Sequence, residues 1–90
     1  MEDALRELES ACVIQKATLG EMHQDVASTL NALGAVHATI GNDGEALSYF
    51  RESLMIARVH AGPNEKEDPQ VMQTLRNISL VHGDKVPKWN

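Results

Sequence analysis

The chain has 90 residues, of which 42% are hydrophobic, 23% are charged and 3% are aromatic, and its formal net charge is −5. This length bounds the chain to one small domain, and the acidic balance argues against nucleic acid as a partner, because nucleic acid selects for basic patches. No apolar run is long enough to span a membrane, and Cys12 has no second cysteine to pair with. We therefore expect a cytoplasmic protein with no membrane contact.

Apolar residues recur at helical spacing in four segments, which predicts helices at about 3–18, 24–40, 44–60 and 69–82. Their inward positions, in chain order, are Leu5, Leu8, Ala11, Cys12 and Ile14; Val26, Leu30, Leu33, His37 and Ile40; Ala46, Leu47, Phe50, Leu54 and Ala57; Val71, Leu75, Ile78 and Val81 or His82. No segment shows the strict alternation of a β-strand.

The segments between the predicted helices carry turn residues. Asp43 is the expected N-cap of the third helix, and Asp68 followed by Pro69 is a strong start signal for the fourth. The stretch from Glu65 to Asp68 is expected to be a solvated loop. Short turns force neighbouring helices to run antiparallel. The predicted fold class is therefore all-α, with antiparallel helical hairpins stacked as an α-solenoid fragment over residues 1–83, followed by a disordered tail at 84–90.

The chain contains an internal repeat. Five residues recur in register, and they are Val26, Thr29, Leu30, Val36 and His37 in the first copy and Val71, Thr74, Leu75, Val81 and His82 in the second. A second set recurs after 42 residues, with Ala4-Leu5, Ile14 and Gly20 returning as Ala46-Leu47, Ile56 and Gly62. Stacked repeats of this kind form extended binding surfaces rather than catalytic pockets.

The motifs that carry a family resemblance are Leu19-Gly20, His23, Asp25-Val26-Ala27, Thr29-Leu30-Asn31, Leu33-Gly34, Gly41 and Ala46-Leu47. Together they resemble tetratricopeptide repeats, in particular the 42-residue repeats of kinesin light chains. Gln24 departs from this pattern, which usually has Pro there. The resemblance implies that residues 24–60 form one complete hairpin, with Gly34 and Ala46 small where the two helices approach and Phe50 bulky beside them.

The same resemblance implies which helices face a partner. In this family the first helix of each hairpin lines a concave groove, and here those helices are the second and fourth of the chain. The expected partner-binding residues are Ser28, Asn31, Ala35, Ala38 and Thr39 on one helix and Gln73, Arg76 and Leu80 on the other. Asn31 is suited to hold a peptide backbone, and Arg76 is suited to bind a carboxylate.

The resemblance implies a module that binds a peptide or a protein, and two alternative interpretations remain open. The helix order begins with the second helix of one repeat and ends with the first helix of another, which suggests a truncated repeat segment with a structural or assembly role. Such incomplete repeats also predict self-association. Armadillo or HEAT repeats are the alternative fold, because they have a similar period.

No residue pattern indicates catalysis, a cofactor or a metal. His37 and His82 occupy equivalent positions and are expected to pack between helices, whereas His23 and Asp25 lie at a helix start and are expected to cap it. Cys12 lies on an apolar stripe, which predicts inert burial. Trp89 is expected to lie at a frayed end. We therefore expect a non-catalytic protein without cofactors.

Overall fold

The computed structural model describes residues 2–83 and consists, over that range, of four α-helices and one short 3₁₀ helix. The α-helices are α1 (Glu2–Leu19), α2 (Gln24–Thr39), α3 (Asp43–Ala61) and α4 (Pro69–Gly83), and the 3₁₀ helix spans Gly62–Glu67. The described range contains no strand, which confirms the all-α fold class. The predicted tail at 84–90, including Trp89, lies outside the described residues, as does the side chain of His82.

Polar side chains start two of the helices as the sequence predicts. His23 is the N-cap of α2, and its Nδ1 accepts a hydrogen bond from the Asp25 N–H at 3.0 Å. At α4, Asp68 Oδ1 accepts from the N–H groups of Gln70 and Val71 at 2.9 and 3.0 Å. These bonds satisfy N–H groups that have no partner within the helix.

The predicted N-cap of α3 is wrong by one residue. Asn42, not Asp43, is the cap, because its carbonyl accepts the first helical bond from Ala46 N–H at 2.9 Å. The Asn42 side chain makes no capping bond. Asp43 instead lies in the first turn, where its negative charge is favoured by the helix dipole.

The segment before α4 is largely exposed and caps α4 through Asp68 as expected, but its residues up to Glu67 form a 3₁₀ helix rather than an irregular loop. Gly62 ends α3 with a φ of +61°, and the 3₁₀ helix then begins with Pro63 in its first turn. Proline fixes φ near the helical value, so it is compatible with a tight helical turn at this position. Glu65 Oε1 lies 3.3 Å from Nε of Arg58, which ties the 3₁₀ helix to α3.

The antiparallel α2–α3 hairpin is the centre of the fold, with α1 packed on α2 and α4 packed on α3. The two helices of this hairpin approach closely at Gly34, where an added Cβ would lie 2.5 Å from Cε1 of Phe50. This distance confirms the expected pairing of a small residue with a bulky one. Two apolar clusters form the core. One contains Cys12, Val26, Ala27, Leu30, Leu33 and Ile56, and the other contains Ala46, Phe50 and Val81.

Three residues predicted to face inward are exposed. Ile14 is 61% exposed, Ile40 is 42% exposed and Leu75 is 43% exposed. Ile40 lies beyond the last residue of α2, at its C-cap. Ile14 and Leu75 lie on the outer sides of α1 and α4, where no other described helix covers them.

Two small polar residues are buried where the sequence offered no apolar signal. Ser53 is fully buried and its hydroxyl donates to the Ala27 carbonyl at 2.7 Å. Thr74 is also fully buried and donates to the Gln70 carbonyl at 2.8 Å. Both hydroxyls bond to backbone, so their burial leaves no unpaired donor. No helix within residues 2–83 has the length and apolar character needed to cross a bilayer.

Candidate partner-binding groove

A polar groove runs between α2 and α4, the two helices that the sequence predicted to face a partner. Its lining residues are Ser28, Asn31, Ala32 and Ala35 from α2 and Gln70, Gln73 and Asn77 from α4. The spacing of three or four residues places each set on one face of its helix. We call this surface the amide groove. Its volume of about 440 Å³ lies within the usual range of ligand-binding clefts.

Two hydrogen bonds cross the amide groove and fix its walls relative to each other. Nε2 of Gln70 donates to Oγ of Ser28 at 3.0 Å, and Nδ2 of Asn77 donates to Oδ1 of Asn31 at 3.0 Å. An amide side chain has two N–H donors and an oxygen with two lone pairs, so each of these bonds uses only part of its capacity. The amide groups can therefore hold the groove in shape and still bind a ligand.

No residue that lines the amide groove carries a charge. Its polar groups are amides and one hydroxyl, and its small residues, Ala32 and Ala35, leave the floor open. Neutral amides match the donors and acceptors of a peptide backbone and make no demand on the charge of its side chains. This lining is suited to an extended peptide rather than to a phosphate or an isolated ion.

A second, more apolar cleft continues from the end of the amide groove. It is lined by Ala35, Ala38, Thr39, Asp43, Phe50, Asn77, Leu80 and Val81, and it has a volume of about 290 Å³. Ala35 and Asn77 line both spaces, so the two are continuous. Phe50 and Val81 are buried beneath this cleft, whereas Leu80 is 65% exposed at its edge. We call it the apolar cleft.

The structure distributes the sequence-predicted site residues over these two spaces. Ser28, Asn31, Ala35 and Gln73 line the amide groove, and Ala35, Ala38, Thr39 and Leu80 line the apolar cleft. Arg76 is exposed on α4 and lines neither space.

Sequence reasoning missed three lining residues of the amide groove. Ala32, Gln70 and Asn77 belong to it, although none of them was expected there. Gln70 and Asn77 are three residues before and four residues after Gln73, so they share its helix face. Helical periodicity applied to Gln73 would have found both.

Three ionisable residues outside the groove have structural roles in the core or between helices. Burial raises the pKa of the Cys12 thiol, which agrees with its predicted inert role. The ring of His37 stacks on that of Tyr49 with centroids 5.3 Å apart, which agrees with a packing role. Lys16 Nζ lies 2.9 Å from Oε2 of Glu52, and this hydrogen bond raises the pKa of Lys16. Within residues 2–83 no three His, Cys, Asp or Glu side chains converge as metal ligands would.

Comparison with known families agrees with this architecture. The family model described as tetratricopeptide repeat matches residues 1–58, which contain α1, α2 and most of α3. The chain belongs to the tetratricopeptide repeat family. This membership favours the tetratricopeptide interpretation over armadillo or HEAT repeats, and it makes the chain a repeat module of the kind that binds proteins. No curated protein and no solved structure shows a significant match.

Proposed function

We propose that this tetratricopeptide repeat chain is a non-catalytic module that binds an extended peptide segment of a protein partner along the amide groove. The observation that carries the proposal is the row of uncharged amides on α2 and α4, held in place by the Gln70–Ser28 and Asn77–Asn31 hydrogen bonds. A peptide backbone offers a donor and an acceptor at each residue, and a row of amides can bind both.

The apolar cleft supplies the second part of the proposed recognition. An apolar side chain of the peptide would lie against Leu80 above the buried ring of Phe50. Burial of such a side chain is worth about 1.5–3 kcal/mol. The amide groove would thus bind the backbone of the peptide, and the apolar cleft would select one of its side chains.

Arg76 has a separate place in the proposal. It is exposed on the same helix as Gln73 and lies outside both lined spaces. We propose that it binds an acidic group of the partner at the edge of the groove. That contact would weaken as salt rises, because exposed charges are screened.

We also propose that the repeats are of the kinesin light chain type and that the chain is located in the cytoplasm. The recurrence of Ala46-Leu47, Ile56 and Gly62 after 42 residues supports repeats of the kinesin light chain type. The lone, buried Cys12 is compatible with the cytoplasm, where thiols stay reduced. Microscopy of a fluorescently tagged chain tests the cytoplasmic location.

Selection from a peptide library against the 90-residue chain, followed by calorimetric titration of the selected peptide, tests the binding proposal. Ala35→Arg places a long side chain where the amide groove meets the apolar cleft and should abolish binding. Gln73→Ala should weaken binding by about 2- to 12-fold, the loss expected for one hydrogen bond. The matched control is Ser48→Arg, because Ser48 is exposed on α3 and lines neither space.

The outcomes are distinguishable because Ala35, Gln73 and Ser48 are all exposed, so helicity should be unchanged in each variant. Equal affinity of Ala35→Arg and the parent chain would overturn the groove assignment. Loss of affinity in Ser48→Arg alone would place recognition on α3.

A second candidate function, assembly by self-association, is favoured by a different observation. Ile14 on α1 and Leu75 on α4 are exposed at opposite ends of the helical stack. Exposed apolar residues of this size favour association when they are part of a larger patch. Sedimentation of the chain over a range of concentrations tests this candidate.

A further inference from the structure

The internal repeat relates the two halves of the structure residue by residue. α1 corresponds to α3 with a shift of 42, and α2 corresponds to α4 with a shift of 45. Core positions agree under this correspondence. Val26 and its equivalent Val71 are both buried, and so are Thr29 and Thr74. The two halves therefore present equivalent faces of their helices to their neighbours.

Three equivalent pairs differ sharply in exposure. Leu30 is fully buried, whereas its equivalent Leu75 is 43% exposed. Ala27 is fully buried, whereas Met72 is 49% exposed. On the other side, Ile56 of α3 is fully buried and its equivalent on α1, Ile14, is 61% exposed.

These differences have one geometric origin. Ile56 packs in the cluster that contains Cys12, Ala27 and Leu30, at the junction of α1, α2 and α3. The exposed face of α4 therefore corresponds to the face of α2 that packs at this junction. The exposed face of α1 corresponds to the face of α3 that packs at the same junction. The structure contains both halves of a second junction but does not join them.

We propose that two copies of this chain associate head to tail, with α1 of one copy packed on α3 and α4 of the other. The α2–α3 contact provides the template for this interface. Ile14 of one copy would enter the space between Leu54, Met72 and Leu75 of the other, as Ile56 does among Cys12, Ala27 and Leu30. The proposal rests on the second candidate function above and uses a face separate from the amide groove.

Side-chain volumes support this fit. In the template, Gly34 lies against the ring of Phe50, with no room for a Cβ. The equivalent residues are Ser79 on α4 and Leu8 on α1. Ser79 is larger than Gly34 and Leu8 is smaller than Phe50, so the two changes in volume offset each other and the close approach of the helices is retained.

Charges support the same orientation. Glu9 of α1 and Tyr49 of α3 line one cleft, and beside them Lys16 pairs with Glu52 at 2.9 Å. The equivalent of Glu9 is Arg51, and the equivalent of Tyr49 is Glu7. In the proposed dimer, Arg51 on the outer face of α3 of one copy would therefore meet Glu7 on α1 of the other copy. Arg51 and Arg58 line the same outer cleft of α3 as half-buried Leu54 and exposed Met55.

The interface is heterologous, because each copy uses a different face at each end, and this property gives a decisive experiment. Ile14→Glu destroys the α1 face and leaves the α4 face intact, whereas Leu75→Glu does the reverse. Both residues are exposed, so circular dichroism should show unchanged helicity. In analytical ultracentrifugation the parent chain should associate with concentration, and each variant alone should be a monomer.

A mixture of the two variants should form a heterodimer and stop there. The heterodimer has one functional interface, and both of its remaining ends are blocked. Monomeric behaviour of the parent chain at every concentration would overturn the proposal, and so would a mixture that fails to associate. Self-association of either variant alone would also overturn it, because the interface would then join two identical faces.

Charge reversal tests the orientation independently. Glu7→Arg or Arg51→Glu alone should weaken association by about threefold to tenfold, as expected for an ion pair at the edge of an interface, and the chain carrying both should recover affinity. Equal association of all three variants would contradict the proposed contact of Glu7 with Arg51. Glu7 and Arg51 are both exposed, so circular dichroism should show unchanged helicity in each variant.

Discussion

Gly34→Ala is the most direct test of the packing that defines the central hairpin. Alanine favours a helix over glycine by about 0.5–1 kcal/mol, so at an open helical position this change stabilises. At Gly34 the added Cβ would lie 2.5, 2.6 and 3.0 Å from Cε1, Cδ1 and Cζ of Phe50. The Phe50 ring is 1% exposed and packs with Ala46 and Val81, so it has little room to withdraw.

The expected magnitude follows from these opposing effects. Overpacking of a filled core costs about 1–3 kcal/mol, which exceeds the gain in helix propensity. We expect Gly34→Ala to lower the free energy of unfolding by about 0.5–2 kcal/mol. Gly44 is the matched control, because it is also helical and an added Cβ there meets nothing within 4 Å. Gly44→Ala should leave stability unchanged or raise it slightly.

Urea unfolding followed by circular dichroism gives these free energies. A double-mutant cycle with Phe50→Leu isolates the contact, because the shorter side chain leaves space for the new methyl group. The double variant should be more stable than the sum of the two single changes predicts, by about 1–2 kcal/mol. Additive changes, or a Gly34→Ala variant as stable as Gly44→Ala, would refute the close approach of α2 and α3 at this point.

Three further predictions concern stability. Leu30→Ala should lower the free energy of unfolding by about 2–5 kcal/mol in urea titrations, because Leu30 is fully buried. Asp68→Ala should cost about 0.5–2 kcal/mol by the same assay, because its carboxylate caps α4 through two hydrogen bonds. Burial raises the pKa values of Cys12 and Tyr49, and the hydrogen bond with Glu52 raises the pKa of Lys16. The folded chain thus holds protons that the unfolded chain releases, so the melting temperature should fall as pH rises above about 9, and less steeply in Tyr49→Phe.

The sequence was sufficient to predict the four α-helices because their signals are local. Apolar spacing, Asp68 followed by Pro69, and the glycines at the helix ends each depend on a few neighbouring residues. The N-cap of α3 was misplaced for the same local reason. Asn42 and Asp43 are both favourable caps, and only the backbone bond from Ala46 N–H decides between them.

Burial on the outer helices could not be predicted from periodicity. Helical spacing identifies the apolar face of a helix, but it does not show whether another helix packs on that face. Leu75 lies on an apolar stripe as clearly as Leu30 does, yet only Leu30 is covered by another described helix. Ser53 also depends on a neighbouring helix. It is polar, but the Ala27 carbonyl lies close enough to accept its hydrogen bond, so it can be buried.

The candidate site was predicted in part for a related reason. The family resemblance indicated which helices would face a partner, and Asn31 and Gln73 line the amide groove between those helices. It did not show that Asn31 would bond to Asn77, since that bond depends on how α2 and α4 lie against each other. It also placed Arg76 in the groove, although this residue lines neither space in a single chain.

The proposed head-to-tail contact would give Arg76 a different neighbour. Arg76 is the equivalent of Asn31 under the shift of 45 residues. In the assembly, α4 of one copy would lie beside α2 of the next copy. This arrangement repeats the one within a single chain, where α2 lies beside α4. Because Asn77 bonds to Asn31, its equivalent Ala32 would face Arg76 across the new groove. Association would thus extend the amide groove and bring a positive charge into its lining. Arg76→Ala should therefore reduce affinity for an acidic peptide more strongly in the assembled parent chain than in monomeric Ile14→Glu, where Arg76 acts only at the edge of the groove, as measured by calorimetric titration. An equal loss in both backgrounds would show that association does not bring Arg76 into the lining of the groove.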